Sequence, residues 1–393
     1  MALMPLLLSA ETSAYTNYSS SFNQSAFVPD ISLIVDGSYV NRSISDDEMQ
    51  NYALAGSELP EYNEFNANSG FNLNYAELSL HSDVDQAFTL DGVFHFNTEG
   101  VEIEEAYFTT TSLPWSFQLK GGKFKSSFGR LNKQHQHVWD FADAPLVYNA
   151  FLTPEGLNHI GLQLQWLAPT PWYMMAGVEV MQSGEEGSFV NESFTDTTSS
   201  AEVKAATEPA LYIGYLKNSF DISDATILFG LSGAHGATKS ADDVGVDGFD
   251  GTTTVYGADL LIKNYFDSYS YLSWQSEVMQ RNTTGDNTTT SVAVDETQRG
   301  AYSQLVYAYD QNWRSGLRFD TIFHDSQQIT DPDKMRNRYS AMLEYIPSEF
   351  SRIRAQYAHN SAFSDTNTGE YKDINTFILE LNLAIGSHGA HTF

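Results

Sequence analysis

The feature that most restricts this chain is a rhythm: segments of apolar–polar alternation are joined by links that are short and long in turn. Period-two alternation marks a β-strand with unlike faces, because successive side chains leave opposite sides of the pleat. The last such segment is the clearest. Phe377, Leu379, Leu381, Leu383 and Ile385 fall on one face, with Ile378, Glu380, Asn382 and Ala384 on the other. Sixteen segments of this kind are predicted, near 31–43, 71–84, 86–97, 101–112, 117–129, 157–168, 172–183, 209–221, 225–238, 252–266, 269–281, 296–310, 313–324, 337–347, 351–362 and 372–386. Tight turns such as Leu113-Pro114-Trp115 and Asp310-Gln311-Asn312 alternate with long links at 44–70, 130–156, 184–208, 239–251, 282–295, 325–336 and 363–371, one further link, Asn97 to Gly100, being short. A soluble sandwich has no reason for this rhythm. A membrane barrel does, with turns at one rim and loops at the other. The expected fold is all-β, a transmembrane antiparallel barrel of about sixteen strands over residues 31–393, with short periplasmic turns and long external loops.

Composition agrees. The 393 residues carry 50 acidic and 20 basic side chains, a net charge of −30 that argues against nucleic acid as a partner. It suits external loops bridged by divalent cations to lipopolysaccharide. Aromatic residues make up 13%, yet mean hydropathy is negative. A barrel reconciles the two, since only alternate strand residues face lipid and both rims bear aromatic girdles. No apolar run beyond the start is long enough for a membrane helix. The lack of cysteine fits an oxidising envelope. The start, Met1 to Ala10, resembles the apolar core of a secretory signal, so 1–14 is expected as a signal-like segment and 15–30 as a periplasmic one.

The third external link, 130–156, holds the candidate site. It follows Lys120-Gly121-Gly122-Lys123-Phe124-Lys125, in which Phe124 has the wrong parity to join Phe117 and Leu119 outside. A bulge at Gly121-Gly122 would restore that parity and turn Lys123 and Lys125 into the lumen. Arg130 opens the link, and His135, His137, Asp140 and Asp143 follow. Imidazoles and carboxylates suit zinc, so His135, His137 and Asp140 are candidate metal ligands; the bland alternative is hydrogen bonding to the barrel wall. Scarce cations recur on late strands, where Arg314 and Arg318, then Arg352 and Arg354, lie opposite the apolar face, with Arg336 and Arg338 nearby. Charges in strands must avoid lipid in any case, and Asp259, Glu277 and Glu380 are available to pair with them. No Gly-x-Ser-x-Gly, His-Glu-x-x-His or phosphate-binding glycine loop occurs, so no enzyme and no resident cofactor are expected.

The segments Leu131 to Tyr148, Ser348 to Tyr357, Ile31 to Gly37 and Gly386 to His391 resemble proteobacterial porin-like proteins known as zinc-regulated TonB-dependent outer-membrane receptors. Gly122 to Gly129 is similar to a motif of phosphate-selective O/P-type porins. Energy-coupled receptors carry a plug ahead of the barrel, for which residues 1–30 offer no room, so the expectation is a passive porin. Resemblance to sixteen-stranded porins implies that the loop after the fifth strand folds inward as the constriction.

The expectation is thus a bacterial outer-membrane homotrimer that contacts lipid and lipopolysaccharide and passes small hydrophilic solutes or ions. Lys123, Lys125, Arg130, His135, His137, Asp140, Asp143, Arg314, Arg318, Arg352 and Arg354 would line the pore. The alternatives are a channel for zinc or another divalent cation such as calcium, an anion-selective porin, a barrel enzyme, and a structural or adhesive barrel.

Overall fold

The computed structural model describes residues 29–54, 65–98, 100–153, 155–184, 186–241, 248–324, 336–366 and 368–386. The signal-like start, most of the 15–30 segment, His388, His391 and Phe393 lie outside the described residues, as do Glu58, Glu61 and Glu64.

Sixteen strands form the wall: β1 (Asp30–Arg42), β2 (Gly70–Asp83), β3 (Phe88–Phe96), β4 (Val101–Thr110), β5 (Phe117–Lys125), β6 (Asn158–Leu167), β7 (Tyr173–Met181), β8 (Leu211–Ile222), β9 (Ala225–Ser240), β10 (Phe249–Tyr265), β11 (Tyr271–Asn287), β12 (Val292–Ala308), β13 (Trp313–His324), β14 (Arg336–Ser348), β15 (Ser351–Asp365) and β16 (Tyr371–Gly386). Each pairs antiparallel with the next. β16 pairs with β1, Leu383 opposite Val35, which closes the sheet and removes its edges.

Alternation decides which face is which. On β16, Leu381 is 45% exposed and its neighbour Glu380 only 3%. Ile160, Leu162, Leu164 and Val178 are likewise exposed, whereas Gln163 and Glu179 are buried. The apolar residues are therefore outside and the polar ones inside, the inverse of a soluble protein.

Two expectations fail here. Residues 282–295 do not form a long loop: β11 and β12 stay in register from Asn282 opposite Thr297 to Asn287 opposite Val292, leaving only 288–291 as the turn. The reason is threonine, whose branched Cβ suits a strand. Thr238 Oγ1 donates to Thr253 Oγ1 at 2.7 Å, and Thr253 and Thr283 hydroxyls lie 3.1 Å apart, so the ladder continues laterally. At 17 residues each, β10, β11 and β12 exceed the roughly 9–11 that a tilted strand needs to cross a bilayer.

The second concerns β5. Its register with β4 and β6 is unbroken through Gly121-Gly122, so no bulge restores the parity of Phe124. Phe124 is fully buried in the interior. Lys123 lies on the strand face of Phe117 and Leu119, its Nζ reaching Glu102 at 3.3 Å and the Ile103 carbonyl at 2.8 Å. The bulge is instead in β4. Opposite Val93 and Phe94 the register slips past Glu104, and the extra residue turns both Glu104 and Glu105 inward.

The main apolar cluster is inside the barrel. Phe128, Leu131, Leu146, Val147, Phe151 and Leu152 of the 130–156 link and its approach pack on Leu211, Val255, Met279 and Ile322 of the wall.

Candidate functional site: the inward loop and the lumen wall

A backbone that crosses a lumen brings N–H groups with no ladder to satisfy them. Inward side chains of the wall accept these groups one after another. As the chain leaves β5, Glu179 of β7 accepts from Ser126 Oγ at 2.5 Å and from Ser127 N at 2.9 Å. Ser232 Oγ of β9 accepts from Gly129 N at 3.0 Å. Glu277 of β11 accepts from Arg130 N at 2.9 Å and Leu131 N at 3.0 Å, and Asp320 of β13 from Leu146 N at 3.0 Å. Gln356 of β15 accepts from Ala142 N at 2.8 Å. Gly129 makes the entry turn at φ +58°, where a Cβ would stand 2.5 Å from Glu277 Oε2 and 2.6 Å from Tyr148 Oη. The buried helix Leu146–Phe151 then seats on β12 and β13.

Arginine clamps the far side. Arg318 meets Asp143 at 2.6 Å and Asp320 at 3.0 Å, and Arg338 meets the same two carboxylates at 2.9 and 3.2 Å. Burial alone would raise the Asp143 carboxyl, but the Arg318 and Arg338 charges hold it down at about 2. Arg354 donates to the Trp139 carbonyl at 2.5 Å and pairs with Glu344 and Glu380 at 3.0 and 3.4 Å. Arg314 joins Glu344 at 2.5 Å and Asp140 at 3.3 Å, while Arg352 pairs with Glu380 at 2.9 Å. The buried ions among them, Arg318, Asp320, Arg338, Glu344, Arg354 and Glu380, are matched and hydrogen-bonded, as a low-dielectric interior requires.

The structure therefore divides the sequence candidates. Arg314, Arg318, Arg352 and Arg354 gather around Asp140, Asp143 and Trp139 of the loop. His135 and His137 converge on Glu77 of β2, each Nδ1 lying 3.3 Å from Glu77 Oε2. Asp140 is not with them; it accepts from Gln304 Nε2 at 2.9 Å and faces Arg314. Lys125 is buried against Glu104 at 2.7 Å, Arg130 reaches Gln275 at 3.2 Å, and Lys123 lies on the outer face of β5, beside the exposed Ile160.

Sequence reasoning missed Lys120, Lys133 and Lys217. Lys120 sits 4.0 Å above the Tyr107 ring, and Lys217 donates to the Gly129 carbonyl at 2.5 Å and pairs with Asp259 at 2.9 Å. Lys133 is exposed on the loop. The parity of Phe124 was the available signal, since it sets Lys120 on the inner face.

This barrel fold is that of the outer-membrane porins. An anion-selective porin from Comamonas acidovorans superimposes with a TM-score of 0.55 at 10% identity, covering 91% of this chain and 99% of that one. The outer membrane channel DcaP of Acinetobacter baumannii gives 0.54 at 12% identity, covering 91% and 97%. The trimer form of OmpT of Vibrio cholerae gives 0.52 at 11%, covering 91% and 99%. No protein-family model matches the chain. In sequence it is 42% identical over 388 residues to an uncharacterized protein of Aquifex aeolicus (strain VF5), covering 95% of this chain and 82% of that protein. The chain belongs to the same family as that protein.

Proposed function

We propose that this barrel is an outer-membrane porin through which small hydrophilic solutes or ions diffuse passively, with residues 130–156 as the constriction. The observation that carries this reading is the anchoring of one inward segment to β7, β9, β11, β13 and β15 around the lumen. Tethers on facing walls narrow a pore without a separate plug. A homotrimer fits, given the trimer form of one structural neighbour. The purified chain in a planar bilayer should give stepwise, ohmic currents; none at saturating protein would sink the idea.

Accessibility of the inward charges favours anions as the preferred ions. The inward carboxylates Glu179, Asp259, Glu277, Asp320, Glu344 and Glu380 are buried, held by loop N–H groups or by cations. The partly exposed inward charges are chiefly Lys120, Arg130, Lys133, Lys217, Arg314 and Arg352, with Asp140 and Asp143 the acidic exceptions on the loop and Asp91 on β3. Wall charges of one sign that face water bias a pore toward ions of the other. A reversal potential of the anion sign in a salt gradient supports this; a cation sign overturns it.

A further inference from the structure

We propose that Glu77, His95, Glu104 and His135 form a site for a divalent transition metal that fastens the inward loop to the β2–β4 wall. This goes beyond conduction and stands whether or not the barrel conducts.

The four residues each bring one ligand atom to a common centre, all within 4.8 Å of one another. His135 Nδ1 lies 3.3 Å from Glu77 Oε2 and 3.6 Å from Glu104 Oε2, and His95 Nε2 lies 3.3 Å from Glu77 Oε2 and against Glu104 Oε2. Metal–ligand bonds of about 2.0–2.2 Å place tetrahedral ligands roughly 3.3–3.6 Å apart. Three of these four separations match the edges of that figure, and the His95–Glu104 contact is closer than an edge. Two imidazoles and two carboxylates are a donor set that zinc and its neighbours accept.

The outer atoms of three of the ligands are already committed. Glu77 Oε1 accepts from Ser79 Oγ at 2.8 Å, which leaves Oε2 for the centre. Glu104 Oε1 pairs with Lys125 at 2.7 Å, again leaving Oε2. His135 Nε2 meets Glu105 Oε2 at 2.8 Å, while its buried Nδ1 makes no hydrogen bond. That is the carboxylate–histidine arrangement by which an outer acid orients a metal-bound ring. His95 is held by Tyr75, whose ring stacks on it at 4.8 Å and 12°. The β4 bulge is what supplies both acids, Glu104 as ligand and Glu105 as the support of His135. His137 Nδ1, 3.3 Å from Glu77 Oε2, is in reach as a fifth donor.

The rival arrangement is metal-free, with protonated imidazoles balancing the three glutamates. Both alternatives supply the positive charge the cluster needs, so binding itself must be measured. The full chain, purified with a chelator and folded in detergent, is titrated with Co²⁺ and then Zn²⁺. The expected result is one equivalent of Co²⁺ with the visible bands of a tetrahedral complex, displaced by Zn²⁺. Absence of those bands in the folded wild-type barrel overturns the proposal, as does their survival in His95→Ala/His135→Ala. Glu105→Gln should weaken Zn²⁺ binding by about 10–100-fold while leaving the stoichiometry unchanged. Should the double variant not fold, amide exchange in the wild type decides: Zn²⁺ must slow exchange around His135, and an unchanged rate overturns the site.

Discussion

Asp143 of the inward loop and Arg318 of β13 meet at 2.6 Å, and the second Asp143 oxygen is taken by Arg338 at 2.9 Å. The two arginines share Asp320 beneath. The four charges form a closed clamp between the loop and two neighbouring strands. The late arginines are thus structural first: they neutralise acids on their own wall and grip the loop, and only Arg314 and Arg352 keep part of their surface in water.

Arg318→Ala should cost about 3–5 kcal/mol, because it leaves the buried Asp320, and the partly exposed Asp143 beside it, with Arg338 alone to balance them. The Arg318 side chain is 1% exposed, so solvent cannot compensate. Thermal or denaturant unfolding of the folded barrel in detergent measures this. A change under about 0.5 kcal/mol, as at an ordinary surface site, would mean that the clamp is idle.

Glu277→Gln should loosen the loop entrance while leaving the barrel closed. Glu277 accepts from Arg130 N, Leu131 N, Tyr148 Oη and Tyr302 Oη at 2.9, 3.0, 2.9 and 2.6 Å. Glutamine turns one acceptor into an NH₂ group that faces donors, at about 1–3 kcal/mol for each partner left unsatisfied. Hydrogen exchange should rise at Arg130 and Leu131, with exchange in β11 unchanged.

The Asp143 contribution has a defined pH window. Its folded pKa of about 2 is below the ordinary 3.8. A depressed carboxyl stabilises fully above its unfolded value and loses that contribution as pH falls through the folded one. The stability difference between wild type and Asp143→Asn should therefore hold from neutral pH to about 4 and shrink by about 2 kcal/mol on acidification to pH 2 and below. A difference that instead disappears between pH 6 and 7 would point to histidine.

Lys120→Glu combined with Lys133→Glu should move the reversal potential in a salt gradient toward cations. Both side chains keep water-facing surface inside the wall, and neither substitution removes a loop tether. An unchanged reversal potential would show that the conducting path avoids β5 and the loop face that carries Lys133.

Val278→Arg tests the outer face. Val278 is 53% exposed at the middle of β11, where a lipid-facing arginine costs about 2–4 kcal/mol at the bilayer midplane. Folding into vesicles should be destabilised by that amount relative to Val278→Ala.

Much of the wall was legible because period two is a local property. The pleat sends neighbours to opposite faces, so the string from Phe377 to Ile385 declares its orientation without knowledge of any partner. The Thr-rich stretch at 282–290 was misjudged because loop composition and strand propensity overlap in threonine, and cross-strand partners decided between them. Two adjacent glutamates, Glu104 and Glu105, did carry a trace of the β4 bulge as a break in alternation.

By itself, then, the sequence determined the strand set, the inner and outer faces, and which link was long enough to enter the lumen. Only the tertiary structure decided what meets inside: Glu277 with Arg130, Arg318 with Asp143, and His135 with Glu77, His95 and Glu104. Those pairings depend on the register of all the strands between them and on closure of β16 against β1. A bulge or slip of one residue anywhere in that path would turn the partners to the other face, and nothing local in the chain records it.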